Sequence, residues 1–466
     1  MKAKKLLRVT SVLFLLVPCA FAQRAGRDPD ARIAKFRDAL QQQGLDVTPG
    51  LAGVLNLPEQ YCTYQADNAL YANNEPYVQL LVPDTTQEPP QLSAIFKLRP
   101  DEAVVLIGLT PPPERYFSYT PYLWSKLYPD GIRRETFSTL ADSVSNATVH
   151  TIGPTPFNSP VVLIFTPDQG TDASIRAALR KAGYPEAIVN TLVFPASMLH
   201  LGQDEAADEL RIVHRNGVWD HPETGEGARY LADIANNLHV FRVTPHTPAA
   251  VDPFPAPPLR LRGTGQTEMD LMNTLGELRH GIIDANPGYE AVDIVTMPMC
   301  YEGYDLVQRG LEICGDSRDA FYIGAGIPEY DPINDIRLDD GEFLVLYGVN
   351  HVATGKATYM NTNVYASETA QLTLGAIDDR GFFDTATPYL PAGDPAADLL
   401  YAYKVSRSCG DEENCLQLAV PDGCTRLTLD SSTLLGVFTR IYLEPATGVG
   451  PAMQEILYER ILKFSP

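Results

Sequence analysis

Leu98-Arg-Pro-Asp-Glu-Ala-Val-Val-Leu-Ile-Gly108 lies against Leu338-Asp-Asp-Gly-Glu-Phe-Leu-Val-Leu-Tyr-Gly348 without a gap. Leu, Glu, Val, Leu and Gly coincide. After three extra residues in the second stretch, Tyr116-Phe-Ser-Tyr-Thr-Pro-Tyr122 falls against Tyr359-Met-Asn-Thr-Asn-Val-Tyr365. Both tyrosine pairs keep their separation. Upstream, Cys62 precedes Asp67 by five residues, as Cys314 precedes Asp319. Matching order and spacing predict an internal duplication of a strand–turn–strand unit.

The divide between the two copies is chemical. Residues 245–258, PHTPAAVDPFPAPP, hold six prolines. Proline fixes φ and removes a backbone donor, so this segment is neither helix nor central strand. It reads as an extended linker or a strap on the surface. The expected organisation is a signal peptide over 1–22, an N-terminal domain over 23–244, the proline-rich linker, and a C-terminal domain over 259–466.

Within each half the pattern is mixed. Helical periodicity runs from an Asp28 cap through Gln43 to a stop at Gly44, and from Thr171 or Asp172 to Gly183. It also covers Glu226–Asn236 and Thr267–Ile283. Ala103–Leu109, Pro160–Phe165, Val240–Val243, Phe343–Tyr347 and Leu434–Tyr442 read as strands, being β-branched or aromatic and mostly bounded by Gly, Pro or Asp. Long Pro- and Gly-rich connections do not suit regular βαβ alternation. The expected fold class is α+β: two related, sandwich-like β-sheet domains with helices packed at one side or end.

The first 22 residues carry Lys2, Lys4, Lys5 and Arg8, no acid, and an apolar run from Val9 to Leu16. That run is too short to span a bilayer. With Ala20-Phe21-Ala22 behind it, the segment predicts export with cleavage before Gln23, to the periplasm or outside the cell. Losing those four positive charges takes the net charge from −22 to −26. So acidic a chain has no basic face for nucleic acid, and no membrane span is expected in the mature protein. Cys62, Cys300, Cys314, Cys409, Cys415 and Cys424 remain, an even number that predicts three disulfides. Cys300 with Cys314 is the first pairing expected. Two of Cys409, Cys415 and Cys424 are expected to pair locally, with the third bound to Cys62.

Familiar catalytic signatures are absent: no G-x-S-x-G elbow, no H-E-x-x-H, and no G-x-G-x-x-G after a strand. Gly348 to Ala357 resembles a phosphate loop only superficially, because six residues separate its glycines and Ala357 replaces the metal-binding hydroxyl. No cofactor and no metal site is assigned. The acidic run Asp331, Asp335, Asp339, Asp340, Glu342 lacks the alternation of an EF-hand. The His200, Asp204, Asp208, His214, Asp220, His221, Glu223 cluster matches no metal spacing. Asn146-Ala147-Thr148 is a glycosylation sequon by pattern.

The most suggestive site follows the strand Phe343–Tyr347. There Asn350, His351 and Lys356 enter a glycine-containing loop, with Tyr359 beyond. His351 has the chemistry of a general base near neutral pH. Asn350 and Lys356 have that of a charge stabiliser. In the first half, Arg115 takes the cationic position, followed by Tyr116, Tyr119 and Tyr122, whose flat faces suit sugars and aromatic ligands. Strand alternation puts Tyr116 and Tyr122 on one face and Tyr119 on the other. Three roles are therefore open. The first, slightly preferred, is an exported enzyme on a small polar or saccharide-like substrate, with catalytic His351, Lys356 and Asn350. The others are a non-catalytic exported ligand-binding protein and a cell-envelope interaction protein.

Overall fold

A computed structural model describes residues 29–466, apart from 68, 70–74, 86, 88, 301–306, 310–314, 329–330 and 369–370. The expected signal peptide and Asp28 lie outside the described residues. The protein is β-rich α+β, dominated by four sheets with few helices.

Strand β5 (Ala103–Leu109) shows why the layers form. Ala103, Val105 and Ile107 enter one core, and Val104 and Leu106 enter another. A strand that is apolar on both faces must be covered on both. One face meets Phe36, Ala39 and Leu40 of helix α1 (Pro29–Gln41), with Ile175 and Leu179 of a helix over Gln169–Ala182. The other meets Phe117, Tyr119 and Leu123 from a second sheet. The second half repeats the device at Phe343–Val349. Phe343, Val345 and Tyr347 pack on Leu275, Leu278 and Ile282 of a helix over Met272–Asp284, while Leu344 and Leu346 face a sheet. Each buried Leu, Val or Phe is worth about 1.5–3 kcal/mol against exposure, so these cores carry most of the fold.

The first half holds β1 (Leu45–Pro49), β2 (Leu51–Leu55), β3 (Tyr77–Asp84), β4 (Gln91–Ser93), β5, β6 (Phe117–Leu127), β7 (Arg133–Thr139), β8 (Val144–Ser145), β9 (Pro160–Thr166), β10 (Val189–Val193), β11 (Glu209–Asn216) and β12 (Leu238–Pro245). Its sheets run β1-β12-β5-β9-β10 and β2-β3-β11-β6-β7, with β4 and β8 attached at the side. The second half holds β13 (Glu290–Ile294), β14 (Met297–Pro298), β15 (Ala320–Ala325), β16 (Phe343–Val349), β17 (Tyr359–Ala366), β18 (Leu372–Asp378), β19 (Leu400–Ser406), β20 (Cys415–Gln417), β21 (Leu435–Tyr442) and β22 (Arg460–Ser465). Its sheets run β13-β22-β16-β19-β20 and β14-β15-β21-β17-β18. In each half one outer pair is parallel, β9 with β10 and β19 with β20; every other named pair is antiparallel.

The five strands expected from the sequence are present with small changes of end. Helix boundaries moved more. The helix expected from Thr171 or Asp172 starts at Gln169, because the Asp168 carboxylate accepts the Thr171 N–H at 2.7 Å and caps it. Glu226–Asn236 is broken at Asp233 into Glu226–Ala232 and Ile234–Asn237. Thr267–Ile283 becomes α-helical only from Met272, after one 3₁₀ turn.

Pro245, expected in the linker, instead ends β12 opposite Leu45 at the last paired position; residues 246–258 form a strap against the first half. The Ala249 N–H reaches Asp101 at 2.9 Å, the Asp252 N–H reaches Asp168 at 2.5 Å, and the Phe254 N–H reaches the Pro167 carbonyl at 2.9 Å. Two disulfides are seen, Cys409–Cys415 within the second half and Cys62–Cys424 between the halves. Both follow the expected pairing. Cys300 is also disulfide-bonded; its expected partner, Cys314, lies outside the described residues. Among the described residues no helix is long and apolar enough to cross a membrane.

Candidate functional site

The loop leaving β16 is built by Asn350. Its Oδ1 accepts the Val352 and Ala353 N–H groups at 3.2 and 3.4 Å, an Asx turn, and its Nδ2 donates to the Asp379 carbonyl at 3.1 Å. That turn directs His351 inward, to 1% exposure. His351 Nδ1 lies 2.9 Å from Glu268 Oε1, which also accepts from Thr354 Oγ1 at 2.5 Å. Glu268 Oε2 accepts the Leu457 N–H at 2.9 Å. Burial pushes the Glu268 carboxyl up, but the neighbouring imidazole and these three donors outweigh it and hold the group below its ordinary range.

Lys356 is equally enclosed. Its Nζ donates to Glu455 at 2.6 Å, Glu444 at 2.8 Å and Thr264 Oγ1 at 3.1 Å. Burial alone would lower its pKa; the two carboxylates reverse that and raise it. Lys356 is thus turned away from Arg115. Arg115 crosses from the first half to Asp379 Oδ2 at 2.7 Å and the Thr358 carbonyl at 3.1 Å. Arg115 and Asn350 converge on Asp379, whereas Lys356 and His351 are held by separate glutamates.

The tyrosines divide as strand alternation requires. Tyr119 points between the first half's sheets and stacks on His214, with ring centres 4.4 Å apart. Tyr116 and Tyr122 point the other way, into the seam between the halves. Tyr116 Oη donates to Asp319 at 2.9 Å, and its ring lies 4.4 Å from Tyr442, which stacks on Tyr359 at 5.4 Å. Tyr122 Oη donates to the Asp316 carbonyl at 3.2 Å. The Asp316 carboxylate in turn accepts from the Thr139 N–H and hydroxyl, each at 2.8 Å. The Arg115–Tyr122 and Asn350–Tyr359 segments therefore meet, but in a packed seam. None of the eight residues lines the grooves found among the described residues.

Two residues that the sequence reading passed over dominate this seam. Arg215 on β11 and Arg440 on β21 are both buried. Arg215 donates to Tyr122 Oη, to the Gly315 carbonyl at 2.8 Å and to Tyr322 Oη at 3.3 Å, with the rings of Tyr122 and Tyr77 5.6 and 5.8 Å away. Gly315 is required there: its φ is +68°, and a Cβ would come within 2.5 Å of the Phe137 ring. Arg440 lies over the rings of Phe438, Tyr365 and Tyr322 at 4.2, 5.8 and 5.9 Å, and its Nη1 reaches Asn363 Oδ1 at 3.4 Å. The available signal was a lone arginine inside the apolar run Val437-Phe-Thr-Arg440-Ile-Tyr442.

Solvent-facing concavity occurs elsewhere. A groove of about 550 Å³ lies where the strap crosses the free edge of β10. His150, Arg176, Asn190, Thr191, Asp142 and Arg260 contribute its polar wall. Asn190 shapes it by bonding both the His150 N–H, at 2.7 Å, and the His150 carbonyl, at 3.1 Å. A smaller apolar pocket of about 390 Å³ is lined by Val54, Pro76, Trp219 and Leu231, with Glu75 at its side. Burial pushes the Glu75 carboxyl up to about 7, against a hydrogen bond from Trp219. Among the described residues no group of His, Cys, Asp and Glu is arranged to hold a metal ion.

No family model and no curated protein matches the chain. Two solved structures are similar over almost their whole length. The VPA0106 protein from Vibrio parahaemolyticus is 12% identical, with 94% of this chain and 99% of that one covered and a TM-score of 0.37. An uncharacterized protein from Burkholderia cenocepacia is 12% identical, with 94% and 91% covered and a TM-score of 0.38.

Proposed function

We propose that this is an exported, internally duplicated protein that binds a small polar or saccharide-like ligand without catalysis. The observation that carries this reading is the polar groove beside β10, open to solvent and walled by hydrogen-bonding groups. Arg176 on that wall is preset, donating to Thr191 Oγ1 and Asp172 at 2.8 Å each. His150 and Arg260 are exposed on it.

Duplication is supported by topology. Taken in chain order, β1, β2, β3, β5, β6, β7, β9, β10, β11 and β12 answer β13 to β22 in sheet position and direction. Arg215 lies opposite Ser118 and Arg440 opposite Asn361, positions that the Tyr116–Tyr359 alignment makes equivalent. Domains over 23–244 and 259–466, joined by the strap, follow from the same reading. Export is supported by the disulfides. N-terminal sequencing of the mature protein is expected to begin at Gln23.

The test is a thermal-shift screen of mono- and oligosaccharides and small polar metabolites against the folded protein. A hit should lose its shift in His150→Ala and Arg260→Ala, whose own melting temperatures stay unchanged. Hits insensitive to both variants would sink the groove as the site.

Catalysis is the second reading. In its favour, His351 is oriented by a carboxylate, the arrangement of an activated base. It requires a ligand held at the buried His351 loop rather than in the β10 groove, and turnover that His351→Gln abolishes while the fold persists.

A further inference from the structure

We propose that Arg215 and Arg440, with Asn363, form a buried oxyanion site at the seam between the two halves. This site is separate from the groove and stands independently of it.

The first argument is charge. A guanidinium removed from water without a counter-charge is strongly unfavourable, so buried cations are normally paired. Among the described residues neither arginine has a carboxylate within ion-pair distance. Asp319 acts on Arg215 through space, but its Oδ2 is taken by Tyr116 and it also faces Arg262. The surrounding tyrosines supply no negative charge. Burial pushes Tyr77 up to about 12 and Tyr116 and Tyr442 well above their ordinary value, so all stay neutral at physiological pH.

The second argument is unmet donors. Nε of Arg215, Nε of Arg440 and Nδ2 of Asn363 are buried and have no acceptor. Asp319 Oδ1 is likewise buried and unpaired, and it meets none of the three; three such donors in one seam point to a further acceptor. Their geometry also selects its chemistry. The tyrosine rings cover guanidinium faces, as the ring contacts show, which leaves the N–H edges for hydrogen bonding. A guanidinium edge presents a planar fork that matches two oxygens of one anion. A small oxyanion such as phosphate, sulfate or a carboxylate therefore fits, and a spherical halide does not use the fork. Arg215 comes from the first half and Arg440 from the second, and both contact Tyr322. An anion held by both would stabilise the seam itself.

The experiment uses the full mature protein, extensively dialysed into chloride. Ion chromatography after acid denaturation, with native mass spectrometry, reports any retained anion. Thermal unfolding is then followed against phosphate, sulfate, acetate and chloride at constant ionic strength. The expected result is either about one retained oxyanion per chain or a saturable rise in melting temperature with an oxyanion and none with chloride. Arg440→Gln and Asn363→Ala should raise the half-saturating concentration about tenfold or more. Asn363→Ala keeps both cations and serves if Arg440→Gln does not fold. His150→Ala, in the groove, should leave the response intact. No retained anion together with equal responses to all four salts would overturn the proposal. So would a saturable response that both seam variants leave unchanged.

Discussion

Cys62 and Cys424 are bonded to each other across 362 residues, so the short helix ending the first half's Leu57–Cys62 segment is tied covalently to the connection before β21. Arg426 reinforces the same junction. Its Nη1 donates to the Tyr61 and Ala66 carbonyls at 3.0 and 2.7 Å, and it lies 4.1 Å from the Tyr61 ring centre. The seam is therefore closed by a covalent clip at one margin and by Arg115–Asp379 elsewhere.

Replacing both Cys62 and Cys424 with serine should destabilise the protein by about 2–5 kcal/mol, the usual effect of losing a bridge that closes a long loop. Denaturant unfolding measures this. Alkylation of the native protein without reductant should label none of the six mature cysteines. A doubly labelled native chain would contradict the bonding scheme.

Lys356→Ala leaves Glu444 and Glu455 buried without their cation, which should cost about 3–5 kcal/mol. Lys356→Arg should recover part of that loss. An alanine variant as stable as the parent would mean that the lysine is not held as the structure has it.

His214 sets the acid limb of stability. Burial lowers its pKa from 6.5 to about 4, against the hydrogen bond to the Ser118 carbonyl at 3.2 Å. Its depressed folded value means that the unfolded chain takes the proton first. Stability is thus lost as pH falls from 6.5 towards 4, by roughly 3 kcal/mol in all. In His214→Gln that part of the slope should vanish from a plot of unfolding free energy against pH.

Glu75 acts with the opposite sign. Its folded pKa, about 7, lies above the ordinary 4.5, so its contribution is full below 4.5 and declines as pH rises through 7. Glu75→Gln, keeping a polar group beside Trp219, should be more stable than the parent at pH 8. At pH 4 the two should be nearly equal. Equal stability at both values would show that the carboxyl is well solvated.

What the sequence determined by itself is local or periodic. Ala103–Leu109 and Phe343–Tyr347 read as strands from their β-branched and aromatic residues, and both lie in the central strands of their sheets. The split of Tyr116 and Tyr122 from Tyr119 followed from the two-residue period of a strand. Short separation predicts a local bridge among Cys409, Cys415 and Cys424, with the third left for Cys62, but not which two pair; the fold makes them Cys409 and Cys415. Tertiary structure alone decided the surroundings of the polar groups. His351 and Lys356 read as reactive because a side chain's chemistry is visible in sequence. Their partners Glu268, Glu444 and Glu455 lie 83, 88 and 99 residues away, and no local pattern announces them. Arg215 and Arg440 escaped notice for the converse reason: a lone charge in an apolar strand gains meaning only when two sheets face each other and bury it. Burial of polar groups is set by which sheet faces meet, and that depends on packing the whole chain.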